Sequence, residues 1–310
     1  MTSSTSSPPK PGSASVIAAA LLLAAIVAAC LAAPLYARYV SQSDPFRSNV
    51  DGQITIAGHP TDLLAENTAG LGLGVTPLGP TWRAAYFLGA DGQGRDVAAR
   101  LLYGGRISLL IATAATGICV VIATLVGTLA GYAGGPLDAG LAWLLDLLWA
   151  FPTYLLAISL SIVLLSSAAA SSLLLPIGIL AAVYIPYVAR PVRQQVIALR
   201  QTEFVLAAVA TGASPRHILH HHLLPHLATT LLLLTPIVMA MTLLTEAALS
   251  VLSIGVQAPA ASWGTLIGDG QTLIYTRPLV ALAPGVAVLA TVLCLNLLAE
   301  RLRAALDPRN

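Results

Sequence analysis

The sequence predicts an all-α membrane protein with six transmembrane helices. The 310 residues are 57% hydrophobic and only 9% charged, against about 25% charged in soluble domains. Six apolar runs, near 17–38, 106–132, 140–166, 172–192, 228–255 and 279–299, stand out. About 20 such residues are needed to cross a ~30 Å hydrocarbon core. A short amphiphilic stretch, EFVLAAVATGASPRHILHHHLLPH at 203–226, lies between two of these runs. It suits a soluble partner better than lipid.

Residues 1–15, MTSSTSSPPKPGSAS, are rich in Ser and Pro and read as a disordered tail. Residues 16–38 form the first span. Val27-Ala28-Ala29-Cys30 also reads as a lipoprotein cleavage box flanked by Lys10, but the apolar run continues to Leu35 and suits an uncleaved span. Residues 39–105 are polar, with scattered Gly, Pro, Asp and Arg, and read as a partly irregular segment outside the bilayer. Residues 106–300 carry the other five spans, with a polar loop at 200–227, and 301–310 form a closing tail. An Ala/Ser-rich stretch near 166–172 separates spans three and four. Pro152, Pro176 and Pro186 are expected to kink or end helices, which bundles tolerate where neighbours satisfy the backbone.

Arginine placement sets the orientation. Arg190, Arg193, Arg200 and Arg216 surround the loop between spans four and five, and Arg301, Arg303 and Arg309 follow span six. That side is expected to be the cytoplasm, with both termini on it. Arg47, Arg83, Arg95 and Arg100 then fall outside, on a segment long enough to escape the rule.

Charge and motifs exclude several classes. A net charge of +2 is too small to suggest nucleic acid. Lysine occurs once, at Lys10, so no lysine can complete a phosphate-binding P-loop. Any ATP that drives this protein is hydrolysed by another chain. Cys30, Cys119 and Cys294 lie singly in apolar runs, and their spacing gives neither a disulfide framework nor a zinc site.

In the polar loop, Gly212 follows a small-residue helix, where glycine permits a left-handed turn. Ser214 can cap the next helix, with Pro215 at its first position. The loop therefore reads as helix, sharp turn, short helix. His217, His220, His221, His222 and His226 crowd its second half. Two pairs lie four apart, a spacing that suits metal ligands, but no further ligand is evident. Solvated or partner-facing imidazoles are the reading adopted, and protonation there is expected to loosen a partner contact at low pH.

Asp146 and Glu246 are acids within spans, where charge is costly and often functional. Asp146 reads as structural pairing or capping near the cytoplasmic end of span three. Glu246, deeper in span five, has two open readings: a bundle anchor, or a residue lining a translocation path. Arg95, Asp96, Arg100 and Arg106 cluster at the outer entrance to span two, with two open readings: a scaffold that holds the outer segment on the bundle, which is the one adopted, or a contact for a docked outer partner.

Five stretches together resemble one family, the inner-membrane permease subunits of bacterial ABC importers of the dipeptide/oligopeptide/nickel type. FLGADGQGRDVAARLLYGGRISLL at 87–110 is similar to the family's Leu-Gly-Thr-Asp-x-x-Gly-Arg-Asp segment, with Ala90 for threonine. GTLAGYAGG at 127–135, DLLWAFPTYLLAI at 146–158 and EAALSVLSIGVQAPAASWGTLIGDG at 246–270 follow in order, and NLLAERLRAALDPRN at 296–310 resembles the closing Leu-Arg-x-x-Leu-Asp-Pro-Arg. The 203–226 loop occupies the place of the Glu-Ala-Ala motif that docks into an ATPase. Ala207, Ala208, Gly212, Ala213, Ser214, Ile218, Leu224 and Pro225 fit it. Leu206 stands where the family has glutamate, Val209 where arginine is common, and Glu203 lies one turn earlier.

The resemblance implies a type I ABC importer permease fold in the bacterial inner membrane. It implies a second, homologous permease, two ATPase subunits or domains that bind ATP and Mg, and an extracytoplasmic solute-binding protein; this chain itself holds no cofactor. Relatives carry dipeptides, longer peptides, glutathione or nickel complexes, and peptides are the expected cargo. An ion-coupled secondary transporter would place ionisable groups at midplane, often in repeated halves, and the spans hold few acids and no lysine. A membrane enzyme would need a nucleophile–base or metal constellation, and none stands out.

Overall fold

A computed structural model describes residues 13–56, 58–66, 75–165 and 173–306. Most of the expected tail at 1–15, the Ala/Ser-rich stretch at 166–172 and the final Asp-Pro-Arg-Asn lie outside the described residues. The chain begins with α1 (Ser13–Leu31), a short turn α2 (Ala33–Leu35) and a π-helical turn at Tyr36–Ser41. Two antiparallel hairpins follow, β1 (Gln53–Ile56) with β2 (His59–Asp62), and β3 (Leu64–Glu66) with β4 (Val75–Pro77). The β-branched Ile54, Thr55, Ile56 and Thr61 favour the pleated backbone. These strands give order to the outer segment that its composition did not announce. A small core of Leu63, Tyr86 and Ala90 holds them together.

The bundle consists of α3 (Val97–Ala133), α4 (Gly135–Ala150), α5 (Thr153–Leu165), α6 (Leu174–Leu199), α7 (Glu203–Ala210), α8 (Pro215–His217), α9 (Leu224–Val251), α10 (Trp263–Gln271) and α11 (Leu279–Leu306). A π-helical turn at Ile218–Leu223 fuses α8 to α9. Among the described residues five helices are long and apolar enough to cross a membrane, and α4 and α5 reach that length and apolarity only together, as a pair bent by 91°, which brings the count to six if the pair is one span. The continuous apolar run at 140–166 conceals that break, which falls at Phe151-Pro152.

The second long helix starts at Val97 rather than 106, because Asp96 caps it and its first arginine, Arg100, is neutralised by neighbouring acids. At 37 residues it is about 55 Å long, well beyond a ~30 Å core. Its partner across the bundle is α6. A Cβ on Gly127 would sit 2.6 Å from the Ala189 carbonyl oxygen, and one on Gly131 2.7 Å from that of Arg193. Small residues let the two backbones approach this closely, which is how membrane helices gain packing contact without a hydrophobic drive. The main core, including Ile111, Cys119, Leu180, Val188, Val192 and Leu227, lies along α3, α6 and α9.

Candidate functional site

The polar loop folds as its residues require. Glu203–Ala210 is helical, and the chain leaves it through Gly212 at φ +81°. The Ala213 N–H returns to the Ala208 carbonyl at 3.0 Å. Ser214 then accepts from the His217 N–H at 3.3 Å, with Pro215 at the first helical position. Val205 and Ile218 are buried and fix the element to the bundle. Ala208, Ala213 and Leu224 are half-buried, whereas Glu203, Ala207, Gly212, Ser214 and Pro225 are exposed. The two departures from the motif, Leu206 and Val209, are each 55% exposed, so the outward face of α7 is apolar where a charged pair was expected.

The histidines form ring contacts. The His217 and His221 rings stack at 4.2 Å, and Phe204 of α7 stacks on His226 of α9 at 5.2 Å. That second contact joins the loop directly to a membrane helix. Among the described residues no three His, Cys, Asp or Glu side chains are arranged to hold a metal. Deeper in, Gln195 donates to the His226 carbonyl at 3.1 Å and accepts from Thr230 at 2.6 Å. Arg193 pairs with Asp138 through two hydrogen bonds, at 2.5 and 2.8 Å, and Arg190 pairs with Asp146. These contacts brace α6 against α4 and α9.

At the opposite end the expected cluster is rearranged. Arg95 and Arg100 come together, but on two acids that sequence reading did not select. Arg95 Nε donates to Asp91 at 2.7 Å, and Arg95 and Arg100 each reach Asp269 Oδ2 at 3.1 Å. Arg100 Nε lies 3.3 Å from Asp91 without making a hydrogen bond, and Arg100 Nη1 donates to the Pro45 carbonyl at 3.2 Å. Asp91 was findable, lying four residues before Arg95; Asp269 is 174 residues away from that arginine. Asp96 does a different job. Its carboxylate accepts from the Ala98 and Ala99 N–H groups at the start of α3 and from Tyr86 N–H. Burial pushes that carboxyl above the usual range, against the pull of these N–H donors and the Ser43 hydroxyl. Arg106 stands apart, exposed, with its guanidinium 5.8 Å from the Tyr103 ring centroid.

Glu246 is 1% exposed. Ser108 of α3 and Ser250 of α9 each donate to it at 2.8 Å. Ser108 also accepts from the Trp263 N–H at 3.1 Å, at the start of α10. Burying a charged or polar group is tolerable only with such partners.

A family model described as "Binding-protein-dependent transport system inner membrane component" matches residues 123–310. The chain belongs to that family. The permease is 35% identical, over 226 residues and 73% of each chain, to the dipeptide transport system permease protein of Alkalihalophilus pseudofirmus. It is 35% identical, over 73% of each chain, to the glutathione transport system permease protein of Pectobacterium atrosepticum. It is 33% identical to the oligopeptide transport system permease protein of Haemophilus influenzae, over 74% of this chain and 73% of that one. Its fold is that of a chain in the MetNI methionine ABC transporter captured facing inward, with a TM-score of 0.56 at 20% identity, covering 66% of the permease and 95% of that chain. The permease is therefore a multi-pass inner-membrane subunit with a type I ABC importer fold.

Proposed function

We propose that this permease forms half of the passage of an ATP-driven importer of di- or oligopeptides. A second, homologous permease supplies the other half. Two cytoplasmic ATPase subunits or domains bind ATP and Mg and grip the 200–227 loop, while an extracytoplasmic solute-binding protein delivers cargo. Both termini are cytoplasmic. Residues 39–105 lie in the periplasm, and the ion-paired Arg95 and Arg100 with Asp91 and Asp269 hold that segment on the bundle.

The observation that carries the reading is the loop itself: a helix, a glycine turn and a capped helix, exposed at the tip and locked to α9 through Phe204 and His226. A rigid element of this kind passes a partner's movement into the bundle. Ala207, Gly212, Ser214, Glu203 and Pro225 meet the partner, and Ala208, Ala213, Ile218 and Leu224 hold the element in place. Leu206 and Val209 dock by apolar contact in place of the motif's charges. As the ATPases close and open, the loops act as levers and the passage alternates its access. Burial and two hydroxyl donors support the anchor reading of Glu246 over a path-lining one.

The peptide cargo rests on the named cargoes of the relatives. Glutathione, carried by another relative, is itself a peptide. A ligand screen on the cognate binding protein, followed by ATP-dependent uptake into liposomes holding the full complex, tests the reading. Binding and uptake of peptides support it; a screen that yields only non-peptide ligands rejects the cargo.

A further inference from the structure

Between the first span and the rest of the bundle runs an apolar groove of about 670 Å³. Its walls include Val27, Cys30 and Leu31 of α1, Leu110 and Thr113 of α3, and Met239 of α9. Cys30 is buried, whereas Leu31 and Leu110 are exposed along the groove. A Cβ on Gly105 of α3 would collide with the Cys30 sulfur, so α1 is seated on α3 at that point. The volume falls within the ~300–1,000 Å³ of small-ligand sites. Among the described residues Arg106 is the only charged side chain on the walls, and no described acid pairs with it.

Helix geometry sets the depth of this groove. Arg106 lies about 14 Å along α3 from Val97, and α3 overshoots a ~30 Å core by about 25 Å. Arg106 therefore stands near the level where α3 enters hydrocarbon. Basic and aromatic side chains collect at that end of the bundle. The Arg106 guanidinium lies 5.8 Å from the Tyr103 ring centroid, and that of Arg38, just past α1, lies 5.5 Å from Tyr39. Aromatic side chains of this kind mark a membrane–water interface, and arginine heads reach back to it. Thr113 is about 10 Å further along α3, so the groove descends from the interface into a single leaflet. Of the apolar stretch of α1 only 11% is buried in the bundle, which leaves this edge open to lipid.

We propose that this groove binds an anionic glycerophospholipid, with one acyl chain between α1, α3 and α9 and the headgroup phosphate held by Arg106. The ligand's two halves match the two parts of the site, an apolar trench below and an unpaired cation at its mouth. A planar guanidinium meets phosphate oxygens through two parallel hydrogen bonds, and its apolar stem lies along the groove wall. A zwitterionic headgroup would bring a second cation beside Arg106 with no acid to receive it, so selection favours net negative charge. The bound lipid bridges α1 to α3 and α9, and so staples to the bundle a span that otherwise buries little of itself.

The test is native mass spectrometry of the complete complex, released from nanodiscs that hold equal amounts of phosphatidylglycerol and phosphatidylcholine. The parent complex should retain phosphatidylglycerol in preference. Arg106→Gln should cut that retention several-fold, and Arg106→Lys should restore part of it. Arg83→Gln, which removes an exposed arginine of the outer segment, should leave it unchanged. Thr113→Trp fills the groove while keeping the cation, and should also cut retention. Arg106 and Thr113 are both exposed; if Arg106→Gln fails to assemble, Arg106→Lys and Thr113→Trp carry the test. Equal retention of the two lipids by the parent would overturn the proposal. So would a loss with Arg106→Gln that Thr113→Trp does not share, since that shows headgroup attraction without a seat for the tail. Loss of the second permease from the variant complexes would show that protein covers the groove, and would overturn it as well.

Discussion

Ser108 on α3 donates a hydrogen bond to the buried carboxylate of Glu246 on α9 at 2.8 Å. The same hydroxyl accepts from the Trp263 N–H, so one side chain joins three elements. Ser108→Ala leaves an acceptor and a donor unmatched in the interior, a loss of about 1–3 kcal/mol for each buried group stranded. The expected outcome is a lower melting temperature of the detergent-solubilised complex. Glu246→Gln should also lower stability while leaving the ranking of cargoes unchanged; a reordered ranking would return Glu246 to the translocation path.

Arg100 is the buried member of the outer ion cluster, with its side chain 3% exposed beside an Asp91 side chain at 2%. Removing one partner of a buried pair costs about 3–5 kcal/mol. Asp269, at 44% exposed, contributes little because solvent screens it. Arg100→Ala should therefore loosen the outer segment and speed proteolytic cleavage there. Arg100→Lys should not restore protection, since an ammonium cannot reproduce the guanidinium fork that lies beside the buried Asp91 and donates to the Pro45 carbonyl.

Asp96 gives a pH signature. Its folded pKa is raised by burial, above an unfolded value of about 3.9. The folded state thus holds the proton more tightly, and the stability this contributes at low pH is lost as pH rises through the folded pKa. Asp96→Asn keeps a neutral acceptor for the cap and removes the titration. The melting temperature of the variant should gain on that of the parent as pH rises from about 4 to 7; a gap moving the other way would contradict the assignment.

At the proposed coupling element, a Cβ at Gly212 meets no neighbour within 4 Å, so Gly212→Ala isolates the backbone cost of φ +81°, about 1–2 kcal/mol. Peptide-stimulated ATPase activity should fall with little change in bundle stability. Leu206→Glu restores the motif's charge on an exposed position. If α7 docks by apolar contact, that change should weaken stimulation rather than strengthen it.

Long-range helical order was legible because hydropathy reports burial in lipid directly, and the glycine–serine–proline turn was legible because each residue's backbone preference acts locally. The α4–α5 break was not: Phe151 and Thr153 continue the apolar run, and only Pro152 marks the corner. The early start of α3 was hidden because Arg100 looks too polar for a span until Asp91 and Asp269 are placed beside it. Asp269 reaches that cluster through tertiary folding, which no spacing rule encodes. The burial of Glu246 likewise depends on serines from two helices meeting at one carboxylate.

On the proposed function, this subunit consumes no fuel and moves cargo only when a partner drives its loop. The direct measurement is peptide uptake against a gradient in proteoliposomes. Accumulation is predicted when the second permease, the ATPases, the binding protein and ATP are all present, and none with this chain alone. Concentrative uptake by the isolated chain would contradict the account.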